Sequence, residues 1–159
     1  MSNHGGDNRR LAIDCLSLVG CEALRDKGLE LVEGEQITET ARAIKSKEEL
    51  VLMKASMDVC EASVHAMREV LEPGITENAI WAKLHETNIR LGGEWIETRL
   101  LSSGPRTNPW FRECSMREIE KNDLVSFDTD LIGPYGYCSD FSRAWICGGK
   151  PTDCLLYTS

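Results

Sequence analysis

The sequence is poor in what most function classes require. Its 159 residues include only three histidines, at positions 4, 65 and 85, too few and too scattered for a histidine-built metal site. The cysteines are odd in number, seven, and none stands in C-x-x-C spacing. Neither a disulfide framework nor a cysteine-type zinc site is expected from them. They read as the reduced thiols of a cytoplasmic protein, several of them small core residues. No apolar run approaches the roughly 18–20 residues of a membrane span. The opening MSNHGGD has no apolar stretch behind a basic start, so a secretory signal is not expected there. Positive charge is also short. Eighteen Lys and Arg against 26 Asp and Glu leave a net charge of −8. Such a surface repels phosphate, which argues against nucleic acid and anionic membranes as partners. Repeats, low-complexity tracts and Pro/Gly/Ser-rich linkers are absent as well. What remains is an ordinary globular composition, 42% hydrophobic and 28% charged, with length for one core or parts of two.

The elements follow from periodicity. Residues 9–43 read as a short α/β stretch: a strand from Arg10 to Asp14, a helix from Leu16 to Lys27 stopped by Gly28, and a strand from Leu29 to Val32. The stretch is too short for a core of its own. A long helix is predicted from Ser46 to Leu71, because Ser46 and Glu49 fit a capping box. Leu50, Met53, Met57, Cys60, Val64, Met67 and Leu71 then recur at steps of three and four along one face. Pro73-Gly74 ends it. A second helix starts near Thr76, carries Ile80, Trp81, Leu84 and Leu91, and ends at Gly92-Gly93. Glu94 to Leu101 reads as a strand, 102–113 as a loop presenting Trp110 and Phe111, and 124–147 as a β-hairpin.

The hairpin carries the chemistry. Its segment SFDTDLIGPYGYCSDFSR, residues 126–143, sets three carboxylates, Asp128, Asp130 and Asp140, in an apolar and aromatic strand pair. Aspartate is a poor strand former and needs a reason to be there. Residues two apart on a strand share a face, so Asp128 and Asp130 point the same way. A hairpin closing at Pro134 sets Asp128 opposite Asp140, with Cβ atoms roughly 5 Å apart. Like charges that close must be protonated or bridged by cations. Three hard oxygen ligands suit a divalent ion or a two-metal site. The same spacing admits a plainer reading, in which Asp128 and Asp130 cap a turn and Asp140 pairs with Arg143.

These residues resemble the metal-binding hairpin of the creatinase, prolidase and aminopeptidase P family, the M24 or pita-bread enzymes. AIKSKEE at 43–49, LEPGITE at 71–77 and NDLVSFD at 122–128 extend the resemblance over residues 9–150. It implies an α+β pita-bread fold, with residues 1–43 ending an N-terminal α/β domain and 44–151 forming the first half of a catalytic domain. It also implies that Asp128 and Asp140 are metal ligands, Asp140 bridging two ions. Three features depart from the peptidase members. The hairpin aspartates are one position further apart. Asp130 stands where those members tend to have Gly. Trp110 or Phe111 stands where proline-directed members have a peptide-positioning His. RTNPWF at 106–111 and the hairpin are instead closely similar to the DddP-type dimethylsulfoniopropionate (DMSP) lyases, in which the equivalent of Asp130 joins the metal cluster.

The lyase resemblance implies metal-assisted β-elimination of DMSP to dimethyl sulfide and acrylate. The metal ligands would be Asp128, Asp130 and Asp140. Trp110, Tyr135 and Tyr137 are the candidates for contacting substrate, since an aromatic face suits a sulfonium. Two ions of Fe, Mn, Zn or Co are implied, and a homodimer for the full-length protein. The other readings are an Xaa-Pro peptidase acting on short peptides and a non-catalytic binding module. The family's remaining ligands, one His and two Glu, and the lyase's general base are expected beyond residue 159. Residues 152–159 do not continue the pattern and are read as a truncation or frame artefact. A chain with half a metal site is expected to hold metal weakly, to lack turnover and to be marginally stable.

Overall fold

The computed structural model describes residues 6–153; His4, Cys154 and most of the atypical tail, from 154 on, lie outside them. The chain divides into two compact units at the Ser46–Lys47 junction. In the first, β1 (Arg10–Ile13) and β2 (Glu30–Glu33) pair in parallel, with Arg10 beside Glu30 and Ile13 beside Glu33. Helix α1 (Leu18–Asp26) crosses between them. Ser17 caps its start by accepting a hydrogen bond from the Gly20 amide at 3.2 Å. Its end falls where predicted: Gly28 adopts φ +75°, a conformation open to glycine without Cβ strain. The sequence reading missed α2 (Glu35–Ala43). Its two threonines and one isoleucine dilute the helical signal, and it buries no residue.

In the second unit, two helices back two small antiparallel sheets. Helix α3 spans Lys47–Glu69 and α4 spans Glu77–Arg90. The first sheet runs β3 (Trp95–Ile96), β6 (Leu131–Ile132), β7 (Cys138–Ser139). The second runs β4 (Leu101–Ser103), β5 (Leu124–Asp128), β8 (Ser142–Ile146). The core forms between helices and sheets from Cys60, Val64 and Met67 on α3, Ile80, Trp81 and Leu84 on α4, and Leu101, Val125, Phe127 and Leu131 on the strands. The Phe127 and Trp145 rings lie 4.6 Å apart on neighbouring strands. Thr76 caps α4 through its Oγ, which accepts from the Ala79 amide at 3.2 Å. Among the described residues every cysteine is free, and Cys60, Cys114 and Cys147 are buried, as small core thiols should be.

The buried face of α3 differs from the predicted stripe. Leu50 and Met57 are exposed, and the buried positions are Ser56, Cys60, Ser63, Val64 and Met67. The reason is what packs there. The hairpin turn lies directly on the helix, with the Ser56 hydroxyl donating to the Tyr137 carbonyl at 2.6 Å. Only small residues allow that approach. A Cβ on Gly133 would sit 2.2 Å from Ser56 Oγ and 3.0 Å from its Cα. Gly133→Ala is therefore expected to destabilise the protein by about 1–3 kcal/mol, measurable as a lower urea midpoint at unchanged slope.

Two further expectations also change. The single strand predicted over 94–101 is broken into β3 and β4, which belong to different sheets. The Arg99 carbonyl between them accepts from both the Leu101 and Cys114 amides, which turns the chain. Leu91, read as part of the apolar face of α4, is exposed beyond its end.

Candidate metal centre

The three aspartates sit where one strand leaves one sheet for the other. Alternation along β5 sends Val125 and Phe127 into the core and leaves Asp128 at the strand's end, half-buried. Thr129 is fully buried and acts as the hinge: its Oγ1 accepts from the Phe141 amide at 2.7 Å and lies 3.5 Å from Cys60 Sγ. Asp130 follows at φ +39°, a left-handed backbone that is uncommon away from glycine. Asp140 lies between β7 and β8 on the returning chain.

The pairing differs from the predicted register. Asp128 faces Ser142, not Asp140, and Leu131 faces Ser139. The turn is centred on Tyr135 at φ +66° rather than on Pro134, so Asp140 returns beside Asp130. The Asp130 amide donates to Asp140 Oδ1 at 3.3 Å. The carboxylates converge all the same: one oxygen from each of Asp128, Asp130 and Asp140 lies within 4.8 Å of the others. Ser142 Oγ donates to Asp128 Oδ1 at 2.6 Å, and Thr98 Oγ1 donates to Asp130 Oδ2 at 2.7 Å. The sequence reading singled out neither hydroxyl.

The electrostatics fit a cation. None of the ion pairs among the described residues involves these three aspartates. Arg143, the alternative partner for Asp140, donates instead to the Ser142 carbonyl and lies over the Phe141 ring. Partial burial pushes the Asp140 carboxyl above its usual range, and the hydrogen bond and charge of Asp128 and the charge of Asp130 add to this. Three uncompensated carboxylates in one place are the donor set of an oxygen-preferring divalent ion.

The aromatic candidates part company. Trp110 is half-buried and lines an open groove of about 500 Å³ with Thr107, Ser126, Phe127, Ser142, Arg143 and Ala144. Ser142, which lines the groove, also donates to the Asp128 carboxylate. Tyr135 is 72% exposed at the tip of the turn. The Tyr137 hydroxyl donates to Glu49 on α3 at 3.5 Å. Neither tyrosine lines the groove.

A fourth acidic residue was not singled out by the sequence pattern. Glu77, the first residue of α4, is completely buried. Its Oε1 accepts from the Ser103 amide and hydroxyl at 2.8 and 2.7 Å. Its Oε2 accepts from the Ser115 amide and hydroxyl at 3.0 and 2.6 Å, and pairs with Arg106. Arg106 also donates to Ser115 Oγ and to the Glu113 carbonyl. Both ends of the loop that carries Trp110 are thereby tied to one carboxylate. In sequence Glu77 looks like an ordinary helix-start acid, and its partners lie 26 to 38 positions away.

Comparison with known proteins adds the following. Residues 51–158 match the sequence pattern of metallopeptidase family M24. The chain is 54% identical over 153 residues to dimethylsulfoniopropionate lyase DddP of Roseovarius nubinhibens, covering 93% of this chain and 34% of that protein. It is 47% identical over 163 residues to the protein of the same name from Roseobacter denitrificans, covering 99% and 36%. It thus spans about a third of the length of these curated relatives. The structure superposes on prolidase from Pyrococcus furiosus with a TM-score of 0.84 at 25% identity, covering 94% of this chain and 44% of that one. The expected pita-bread architecture is the one observed.

Proposed function

The chain belongs to metallopeptidase family M24, and on that premise we propose that it is part of a metal-dependent lyase cleaving DMSP to dimethyl sulfide and acrylate. The observation that carries this reading is the level and extent of likeness to the two lyases, 54% and 47% identity across 93% and 99% of the chain. Asp130 supports it. A carboxylate here occupies a left-handed backbone position that glycine would take freely, and it points into the cluster.

Asp128, Asp130 and Asp140 are the proposed ligands. The proposal extends to two ions of iron, manganese, zinc or cobalt, to a cytoplasmic homodimer, and to residues 44–151 as the first half of the catalytic domain. A bound divalent metal supplies positive charge that offsets the substrate carboxylate and the negative charge developing at the carbon next to it. The chain's own residues do the rest of what is assigned here. Ser142 and Thr98 hold two of the carboxylates in place. Trp110 offers its face to the sulfonium, a diffuse cation, within the open groove it lines. Tyr135 and Tyr137 remain proposed substrate contacts from the sequence pattern alone. The α-proton leaves to a base that is assigned to no residue of this chain. As the proton leaves, the β C–S bond breaks, its electron pair departs on dimethyl sulfide, and acrylate remains.

The test is turnover by the full-length protein, with dimethyl sulfide measured in the headspace and an Xaa-Pro dipeptide run in parallel. Dimethyl sulfide release without peptide cleavage is the expected result. Peptide cleavage without dimethyl sulfide would make the protein a prolidase-like hydrolase, and neither activity would leave a binding module.

A further inference from the structure

We propose that Thr98 is a positioning residue that presents Asp130 to the metal through a single oxygen. The proposal rests on the reading of Asp128, Asp130 and Asp140 as ligands. Its starting point is the strained backbone. At φ +39° Asp130 lies off the regular strand path, so the ladder alone does not set where its carboxylate points. The segment between β3 and β4 supplies what is missing. The Glu97 amide donates to the Asp130 carbonyl at 3.1 Å, and Thr98 Oγ1 donates to Asp130 Oδ2 at 2.7 Å. Thr98 is itself half-buried and β-branched, so its hydroxyl has few other directions to take.

The same device recurs around the cluster. Ser142 occupies Oδ1 of Asp128, Thr98 occupies Oδ2 of Asp130, and the Asp130 amide occupies Oδ1 of Asp140. Each of these donors engages a single oxygen of its carboxylate. Single oxygens from several carboxylates suit a small ion such as Mn²⁺. Ca²⁺ prefers more oxygens and readily takes both from one carboxylate. By holding Asp130 to one oxygen, Thr98 favours the smaller ion over calcium.

The readout is metal affinity. Free Mn²⁺ in a titration of the full-length protein is followed by its electron paramagnetic resonance signal, with Ca²⁺ added as competitor. Thr98→Val is nearly isosteric and removes only the donor. It is expected to raise the Mn²⁺ Kd about 10-fold or more and to let Ca²⁺ compete better. Thr98→Ser, which keeps the hydroxyl, should stay within about 3-fold of wild type, and Thr98→Ala should reproduce the loss seen with valine. In an Asp130→Gly background, Thr98→Val should change nothing further. Weaker Mn²⁺ binding by Asp130→Gly with wild-type binding by both Thr98→Val and Thr98→Ala would overturn the role of Thr98. Wild-type binding by Asp130→Gly itself would overturn the ligand assignment and this inference with it.

Discussion

Glu77→Gln is expected to lower the stability of the protein by about 3–5 kcal/mol, the range for breaking a buried charge pair by removing one partner. The carboxylate is fully buried and accepts four hydrogen bonds besides its pairing with Arg106. Glutamine matches its shape but turns one acceptor into a donor that meets the Ser103 or Ser115 donors head-on, and it leaves Arg106 without its counter-charge. The pH dependence distinguishes this from a packing defect. Burial disfavours the charged form, but the Ser115 and Ser103 hydrogen bonds and the Arg106 charge outweigh it, so the Glu77 carboxyl is held below its usual range. A depressed folded value means the contribution is present in full above the unfolded carboxyl pKa of about 4.3. It is lost as the pH falls through the lower folded value. Wild type should therefore lose part of its advantage over Glu77→Gln in that acid window, and equal stability at pH 7 would refute the account. Function should suffer too, since Glu77 ties down the loop bearing Trp110.

The second large effect is on metal and turnover, and it has a telling companion of opposite sign. On the proposed lyase reading, Asp140→Asn in the full-length protein is expected to reduce dimethyl sulfide release by about 10³-fold, since the metal's charge stabilisation is worth several kcal/mol. Metal content after dialysis should fall in step. Chelation of the wild-type protein should reproduce the loss, and added metal should reverse it. The same substitution is expected to raise the melting temperature of the metal-free protein. Asp128, Asp130 and Asp140 repel one another, and Asp140 bears the strain most visibly, its carboxyl pushed up by partial burial and by its two neighbours. Removing its charge relieves that repulsion while removing the ligand. A site that is costly when empty and useful when filled is the usual mark of function traded against stability. If Asp140→Asn lowers the metal-free melting temperature and leaves metal content intact, Asp140 is a structural residue.

Much of this was legible because it is local. Thr76 followed by Ile80, Trp81 and Leu84 announces α4 within one stretch of chain, and Gly28 announces the end of α1. The aspartates stood out because carboxylates in an apolar hairpin conflict with strand propensity, and such conflicts gather at functional sites. The turn centre was misplaced by one residue, and the register with it by two, because a turn's centre depends on what it packs against. Gly133 seats the hairpin on Ser56, and Tyr135, in a left-handed conformation, takes the turn centre that the sequence pattern gave to Pro134. The buried face of α3 was misread for the same reason, since periodicity ranks Met57 above Ser56 while the hairpin tolerates only the smaller residue.

By itself the sequence determined α1, α3 and α4, the three carboxylates and the family pattern, because each is written in residues a few positions apart. Only the tertiary structure decided that Asp140 returns beside Asp130 rather than opposite Asp128. It alone also supplied Thr98 and Ser142 to orient the cluster and buried Glu77 as the anchor of the Trp110 loop. Those outcomes join residues 10 to 38 positions apart, and a hydrogen bond across such a separation is settled by how the layers pack, which no local pattern records.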